Sequence, residues 1–455
     1  MTTLTNGYVP FAKGNWREPR VEMVRERSLA ALRTVGPERG YRVVGGERLI
    51  TTDAEALAAV EEFGRERVDV VVCQYITFAL GSMTPLIAER AQVPLVLWSM
   101  PEPPMEGGRI SANSFCAVNM NAHALWKLRV RYLHVHAPVE AAVPRLRSAL
   151  GPVAAVKRLR RTKIGLVGAR APGFYTSNAN ELLLRRRLGV EIDYITLLEL
   201  TRLAEQAPAE KVDAALALLM ANAGGVCGPD AGELRKGAAL YVAFQEVRQR
   251  FNVDVFSVKC WPEFAQYYGI GVCAVMGMLN NQAIMTGCEG DIYGTVTMVV
   301  ENEITGGLPF FCDLISIDGE GDVGVTWHCG AAPKGLCCTA ATPNLRKHSI
   351  IDGGDKKGLT NEFPLKPGRV TLARISETRD NDHFRMLITT GTGLETPLLL
   401  RGNPLRVKFD VPLAGLARKL VYEGFEHHFA LVHGEIVEEL EHVCRLLDLE
   451  PIVLR

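Results

Sequence analysis

The sequence predicts an α/β protein: two similar α/β layers followed by a β-rich C-terminal domain, barrel or sandwich. Three observations carry that reading. Apolar, β-branched runs alternate with helical stretches in the first part of the chain, the order that builds parallel βαβ units. The alternation begins afresh near residue 160. Beyond residue 340 it gives way to short strand patterns closely joined by turns.

The elements follow in order. Val68–Val72 (VDVVV) and Val93–Trp98 (VPLVLW) read as buried strands, with a helix near Thr84–Ala91 between them. The basic stretch Lys157–Lys163 leads into a strand at Ile164–Val167. Gly168–Asn178 (GARAPGFYTSN) is rich in turn residues and reads as a loop. A helix over Glu181–Arg187, a strand near Glu191–Ile195 and helical stretches at 209–222 and 230–250 continue the second layer. Thr342–Thr360 is polar and Gly-rich. Gly368–Glu377, Phe384–Thr390, Thr396–Arg401 and Leu405–Phe409 then read as strands, and Gly434–Leu447 as a final helix.

Composition excludes several functions. The 455 residues correspond to two to four domains at about 100–200 residues each. Lys and Arg (51) balance Asp and Glu (51), so no basic nucleic-acid face is expected. No apolar run reaches the roughly 18 residues that span a bilayer. The segment MTTLTNGYVPFAKGNWREPR is polar with no hydrophobic signal core, so the expected location is the cytoplasm. The 11 cysteines form no C-x-x-C pair, which argues against a zinc ribbon or a thioredoxin-like site, and they read as free, mostly buried thiols. The glycines after Ile164–Val167 do not form G-x-G-x-x-G, and neither a P-loop nor a G-x-S-x-G elbow occurs.

Residues able to carry chemistry gather in two places. Glu289 sits in TGCEGDIYG, a Gly-flanked turn opening a helical run to Glu303. Asp313 lies in the apolar strand LPFFCDLISID, and His328 ends a strand in VGVTWHCG. The second place is EGFEHHFALVHGE, with His427, His428 and His433. A carboxylate inside Phe310–Ile315 needs a partner, because burying it alone costs several kcal/mol in order of magnitude. A metal ion, a salt bridge or a backbone hydrogen bond would each serve. Glu289 can equally be a helix-capping carboxylate, and paired histidines are common on surfaces and in cores. Two carboxylates with imidazole would suit Mn²⁺, Co²⁺ or Mg²⁺.

These segments resemble the L-fucose and L-arabinose isomerase superfamily, most strongly over roughly 68–137, 160–195, 257–330 and 420–447. TGCEGDIYGTVTMVVENEITGGLPFFCDL is similar to the family's stretch in which a metal-binding Glu opens a helix and a metal-binding Asp follows on the next strand. EHHFALVHG looks like the segment supplying the metal-binding His. The resemblance thus implies Glu289, Asp313 and His428 as ligands of one Mn²⁺ (or Co²⁺ or Mg²⁺), with His328 a fourth ligand or a substrate contact. VNMNAHALWKLRVRYLHVHA resembles a segment whose His reaches the sugar of a neighbouring subunit, which implies His123 with Asn121 beside it. Lys259, Trp261 and Glu263 in FSVKCWPE are further pocket candidates.

The fold that this resemblance implies is two Rossmann-like α/β domains and a C-terminal β-barrel. The corresponding boundaries are 1–155, 156–304 with the metal Glu, and 305–455 with the metal Asp and His. The implied activity is aldose–ketose isomerisation of a monosaccharide through a cis-enediolate, with Glu289 and Asp313 sharing the acid and base roles. A homo-oligomer, a hexamer by the family pattern, with sites shared between subunits is also implied. The sugar itself is open: a deoxyhexose, a pentose, or an acidic hexose such as a sulfonated one. A metal-dependent lyase or aldolase, or a sugar-binding regulator without turnover, are the alternatives.

Overall fold

A computed structural model describes residues 1–16, 18–105, 107–319, 321–349 and 357–455. The chain forms two compact units, Met1–Lys157 with Glu438–Asp448, and Arg158–Val437 with Leu449–Arg455.

The first unit is built on five parallel strands, β1 (Thr5–Phe11), β2 (Arg42–Val44), β3 (Val70–Tyr75), β4 (Leu95–Ser99) and β5 (Tyr132–His136), ordered β2-β1-β3-β4-β5. Helices α1 (Pro19–Arg33), α2 (Asp53–Glu66), α3 (Met83–Ala91), α4 (Ser114–Lys127) and α5 (Ala142–Leu159) follow the strands. β3 (VVVCQY) is buried at every position, the pattern of a parallel strand covered on both faces. β3, α3 and β4 form the expected parallel βαβ unit. α2 starts at a capping box, in which Thr52 and Glu55 satisfy each other's backbone N–H. Val71, Cys73, Tyr75, Leu95 and Leu97 pack with Phe63, Ile87 and Leu125 in the core.

The second unit opens with β6 (Lys163–Val167), α6 (Glu181–Leu188), β7 (Glu191–Ile195), α7 (Leu197–Glu205), α8 (Ala209–Ala221), β8 (Gly225–Cys227), α9 (Ala231–Arg250), β9 (Val255–Val258), α10 (Cys273–Asn281), β10 (Thr286–Cys288) and α11 (Ile292–Thr305). Strands β10-β9-β6-β7 form a second parallel sheet. The rest of the unit carries β11 (Phe310–Gly319), β12 (Val323–Trp327), β13 (Asn344–Lys347), β14 (Gly358–Glu362), β15 (Gly368–Glu377), β16 (Phe384–Gly393), β17 (Leu405–Phe409), α12 (Leu413–Tyr422) and β18 (His428–His433). Six of these strands close an antiparallel barrel in the order β15-β18-β11-β12-β17-β16, with β15 and β16 paired to complete the ring. α13 (Val437–Leu447) precedes β19 (Glu450–Leu454), which adds to β16 in parallel.

The predicted class is therefore observed: parallel α/β sheets and a C-terminal β-barrel. Two elements differ from the sequence reading. Thr396–Arg401 is not a strand. Pro397 has no N–H for a ladder, and the Thr396 hydroxyl instead donates to the Leu394 carbonyl and accepts from Arg406 N–H, which folds the segment locally. The polar Thr342–Thr360 stretch contains β13 and the start of β14; β13 pairs with β14 on one side and with β8 on the other, and residues 350–356 lie outside the described ones. No helix among the described residues is long and apolar enough to cross a membrane.

Candidate active site

Period-two alternation places the first site residues. Along β11, Phe310 and Cys312 join the apolar cluster of the barrel, so Phe311 and Asp313 face the other way. On β18, Phe429 and Leu431 join the same cluster and His428 faces away. The ladder sets Asp313 directly opposite both His428 and Trp327, so carboxylate and imidazole are cross-strand neighbours. His328 follows β12 immediately, fully buried, its ring 5.6 Å from Phe311 and 5.9 Å from His428.

Glu289 enters from the turn after β10. Its backbone is left-handed, φ 58°, and Gly290 follows at φ 75°. Gly290 has no substitute there, since a Cβ would lie 2.2 Å from the Ala169 carbonyl oxygen. That close approach brings in the loop after β6, where Ala171 N–H donates to the Glu289 carbonyl at 3.3 Å. Trp261 Nε1 donates to Glu289 Oε1 at 3.3 Å. Glu289 Oε2 lies 3.3 Å from His428 Nε2 and 3.5 Å from His427 Nε2, and Asp313 Oδ1 is 3.7 Å from His428 Nε2.

Asp291, which the sequence reading passed over, holds this assembly together. One of its oxygens caps α11 by accepting from Gly294 N–H at 2.9 Å. The other accepts from Arg374 Nη1 at 2.5 Å and from His428 Nδ1 at 2.9 Å. Arg374, wholly buried, also reaches Glu426 at 3.3 Å. Burial would raise the Asp291 carboxyl, but the Arg374 charge and His428 hold it well below the usual range. An ionised carboxylate only accepts, so His428 must carry a proton on Nδ1 and turn Nε2 toward Glu289 and Asp313. Burial opposes charge on His428, yet Asp291 and Glu289 push it up to about 9. Glu289 behaves alike: burial raises it, and the His427 and His428 rings beside it outweigh burial and hold its carboxyl well below the usual range.

Among the described residues, four buried atoms at this centre have no hydrogen-bond partner: Glu289 Oε2, Asp313 Oδ1, His328 Nδ1 and His428 Nε2. Leaving such atoms unpaired costs about 1–3 kcal/mol each. Glu289, His427 and His428 offer ligand atoms within 4.8 Å of one another, and so do Asp313, His328 and His428. Two carboxylate oxygens and two imidazole nitrogens are a donor set that fits Mn²⁺, Co²⁺ or Mg²⁺.

The remaining sequence candidates are placed as follows. Trp261 touches Glu289, as above. Lys259 forms an ion pair with Glu263, and both are mostly buried. His433 is tied to the Lys366 carbonyl at 2.9 Å. Asn121 and His123 lie on α4 of the first unit, Asn121 buried with its amide on the Ala117 carbonyl and His123 exposed.

No family model matches the chain. It is 30% identical over 394 residues to the sulfoquinovose isomerase of Alkalicoccus urumqiensis, a match covering 85% of this chain and 86% of that protein. The chain belongs to the sulfoquinovose isomerase family. The sulfoquinovose isomerase of Priestia megaterium (strain ATCC 12872 / QMB1551) is 29% identical over 456 residues, all of both chains. That of Clostridium sp. (strain MSTE9) is 29% identical over 389 residues, 84% of this chain and 86% of the relative. An ABC transporter solute-binding protein from Agrobacterium vitis with bound D-fucose overlays at a TM-score of 0.15, with 11% identity over 66% of this chain and 87% of its own; so low a score bears on neither fold nor function. Within its family the chain is a sugar aldose–ketose isomerase.

Proposed function

We propose that this isomerase is a divalent-metal enzyme of the L-fucose and L-arabinose isomerase group and that its aldose is a sulfonated hexose, sulfoquinovose. One observation carries the reading: Glu289 Oε2, Asp313 Oδ1, His328 Nδ1 and His428 Nε2 are buried and unpartnered among the described residues, and Glu289 and Asp313 each lie beside His428 Nε2, in a chain whose relatives are named for that reaction. Glu289, Asp313 and His428 would hold the ion, Mn²⁺ first and Co²⁺ or Mg²⁺ as substitutes, with His328 a fourth ligand or a sugar contact. A divalent ion supplies Lewis-acid polarisation of the sugar carbonyl and offsets charge on the two adjacent oxygens.

The proton work falls to the carboxylates. One removes the proton from C2 while the C1 carbonyl oxygen gains a proton, giving an enediol. The enediol takes a proton back at C1 as the O2 hydroxyl loses its own, giving the ketose. Glu289, held ionised, is ready to accept, and the Trp261 N–H fixes one of its oxygens so that the other faces the site. The Asp291–Arg374 pair keeps the His428 ring from turning, so its Nε2 stays aimed at the same centre. The same resemblance extends the proposal to a cytoplasmic homohexamer with shared sites, and light scattering tests the hexamer.

The test is conversion of sulfoquinovose, L-fucose and L-arabinose by metal-free and Mn²⁺-loaded enzyme, with the ketose followed by NMR. Sulfoquinovose should be converted, the activity lost on chelation and restored by Mn²⁺. Full activity in chelator overturns the metal assignment, and inertness toward sulfoquinovose overturns the substrate.

A further inference from the structure

We propose that Arg170 receives the acidic group of the sugar, pairing its guanidinium with the anion at the end remote from C1 and C2. This rests on the reading above that the substrate is a sulfonated aldose. A sulfonate stays anionic throughout the physiological range and offers three acceptor oxygens, so a site for it needs a fixed cation with several donors. Arg374, Lys259 and Arg170 are long cationic side chains on segments that supply site residues, and Arg369, also on β15, is paired with Asp410 and Glu435. Arg374 is wholly buried and committed to Asp291 and Glu426. Lys259 is neutralised by Glu263.

Arg170 differs from both. It has no carboxylate partner among the described residues, and its one hydrogen bond runs to the neighbouring Ala171 carbonyl at 3.5 Å, the edge of contact. Its guanidinium lies over the Tyr175 ring at 4.8 Å. Stacking occupies the flat face of the guanidinium and leaves its in-plane N–H groups free, the edge that pairs with an oxyanion.

The loop that carries Arg170 is part of the site wall. A Cβ on Gly290 would lie 2.8 Å from Arg170 Cα, so the residue is anchored against the turn bearing Glu289. Four residues on, the Phe174 ring lies 5.5 Å from both Trp261 and His427, and Thr176 Oγ1 is 3.1 Å from His427 Nδ1. The wall thus runs from the candidate ligands out to Tyr175, which is exposed. A sugar reacting at C1 and C2 beside Glu289 presents its far end to this wall, and Arg170 is the cation standing there.

The test compares wild type, Arg170→Gln and Arg170→Lys on sulfoquinovose, on its desulfonated counterpart quinovose (as substrate and as competitive inhibitor) and on glucose 6-phosphate, with manganese content measured for each protein. In Arg170→Gln the KM for sulfoquinovose should rise about 10–100-fold, the loss expected for a charge-assisted hydrogen bond. The loss on quinovose should be far smaller, manganese content should match wild type, and Arg170→Lys should recover part of the affinity. Equal losses on both sugars, or an unchanged KM for sulfoquinovose, overturn the assignment. A wild-type enzyme that ignores sulfoquinovose but converts a neutral aldose overturns the substrate reading instead, whatever the variants do. A wild-type preference for glucose 6-phosphate that Arg170→Gln abolishes supports Arg170 as the anion contact and overturns sulfonate as the anion.

Discussion

Two regions of the second unit are equally dry and chemically opposite. In the barrel cluster, Phe310, Cys312, Leu372, Phe429 and Leu431 are almost wholly buried and carry no charge. Where β15, β18 and α11 meet, Arg374, Asp291 and His428 are 0–1% exposed, and each is ionisable. Apolar burial needs only shape and volume, and it stabilises by roughly 1.5–3 kcal/mol per large side chain. Buried charge stabilises little or nothing in net terms, because desolvation offsets the attraction. A chain that keeps the second kind of interior beside the first keeps it for what it positions.

That contrast can be broken from either side. The largest effect is expected at the centre of the charged region: Glu289→Gln and Asp313→Asn should each lower kcat by about 10²–10⁴-fold while circular dichroism reports a folded chain. Near-wild-type rates would refute their roles. Next comes the support. Arg374→Met leaves Asp291 buried without its cation and should destabilise by about 3–5 kcal/mol, read from the denaturant midpoint. Adding Asp291→Asn should return part of that stability without returning metal content, because His428 would still lack its anchor; full recovery of both would show the pair to be structural only. In the apolar region, Leu372→Ala should cost about 2–5 kcal/mol with manganese per folded chain at the wild-type level. His428→Ala should show the reverse, lost manganese with little change in the midpoint, and unaltered manganese there would move the ligand to His427.

The smallest effect concerns His348, buried at the end of β13. Burial, helped by His328 and Arg401, holds its imidazole down to about 4. The folded chain keeps it neutral where the unfolded chain, titrating near 6.5, has taken up a proton. Stability from this group is therefore complete above about pH 6.5 and lost as the pH falls toward 4. Urea midpoints measured between pH 7 and 4 should decline, and the decline should flatten in His348→Gln.

Sequence pattern reached the candidate ligands of the charged region better than the residues that support them. Glu289, Asp313 and His328 stand out locally, as a carboxylate between glycines, a charge inside an apolar strand and a histidine at a strand end. Asp291 looks like an ordinary cap, and it is one; its second oxygen serves His428 and Arg374, 137 and 83 residues away, which no local pattern encodes. Arg374 was open to the argument applied to Asp313, since GRVTLARISE is also an apolar strand interrupted by a charge. β13 and β14 escaped because NLRK and GLTNE lack alternation, and β13 takes its parallel pairing from β8, far back in the chain. α13 was legible from its own amphipathic pattern, but its membership of the first unit depends on tertiary packing alone.

The left-handed backbone of Glu289 has a consequence for how this protein can change. A residue with a side chain pays roughly 1 kcal/mol to sit at a positive φ, and asparagine or glycine pays less. A variant carrying either at 289 would shed backbone strain and a buried charge together, so it should melt higher while being inert. Thermostability screens run without an activity gate would enrich such variants early, and a consensus built from heat-selected clones would erase the position first.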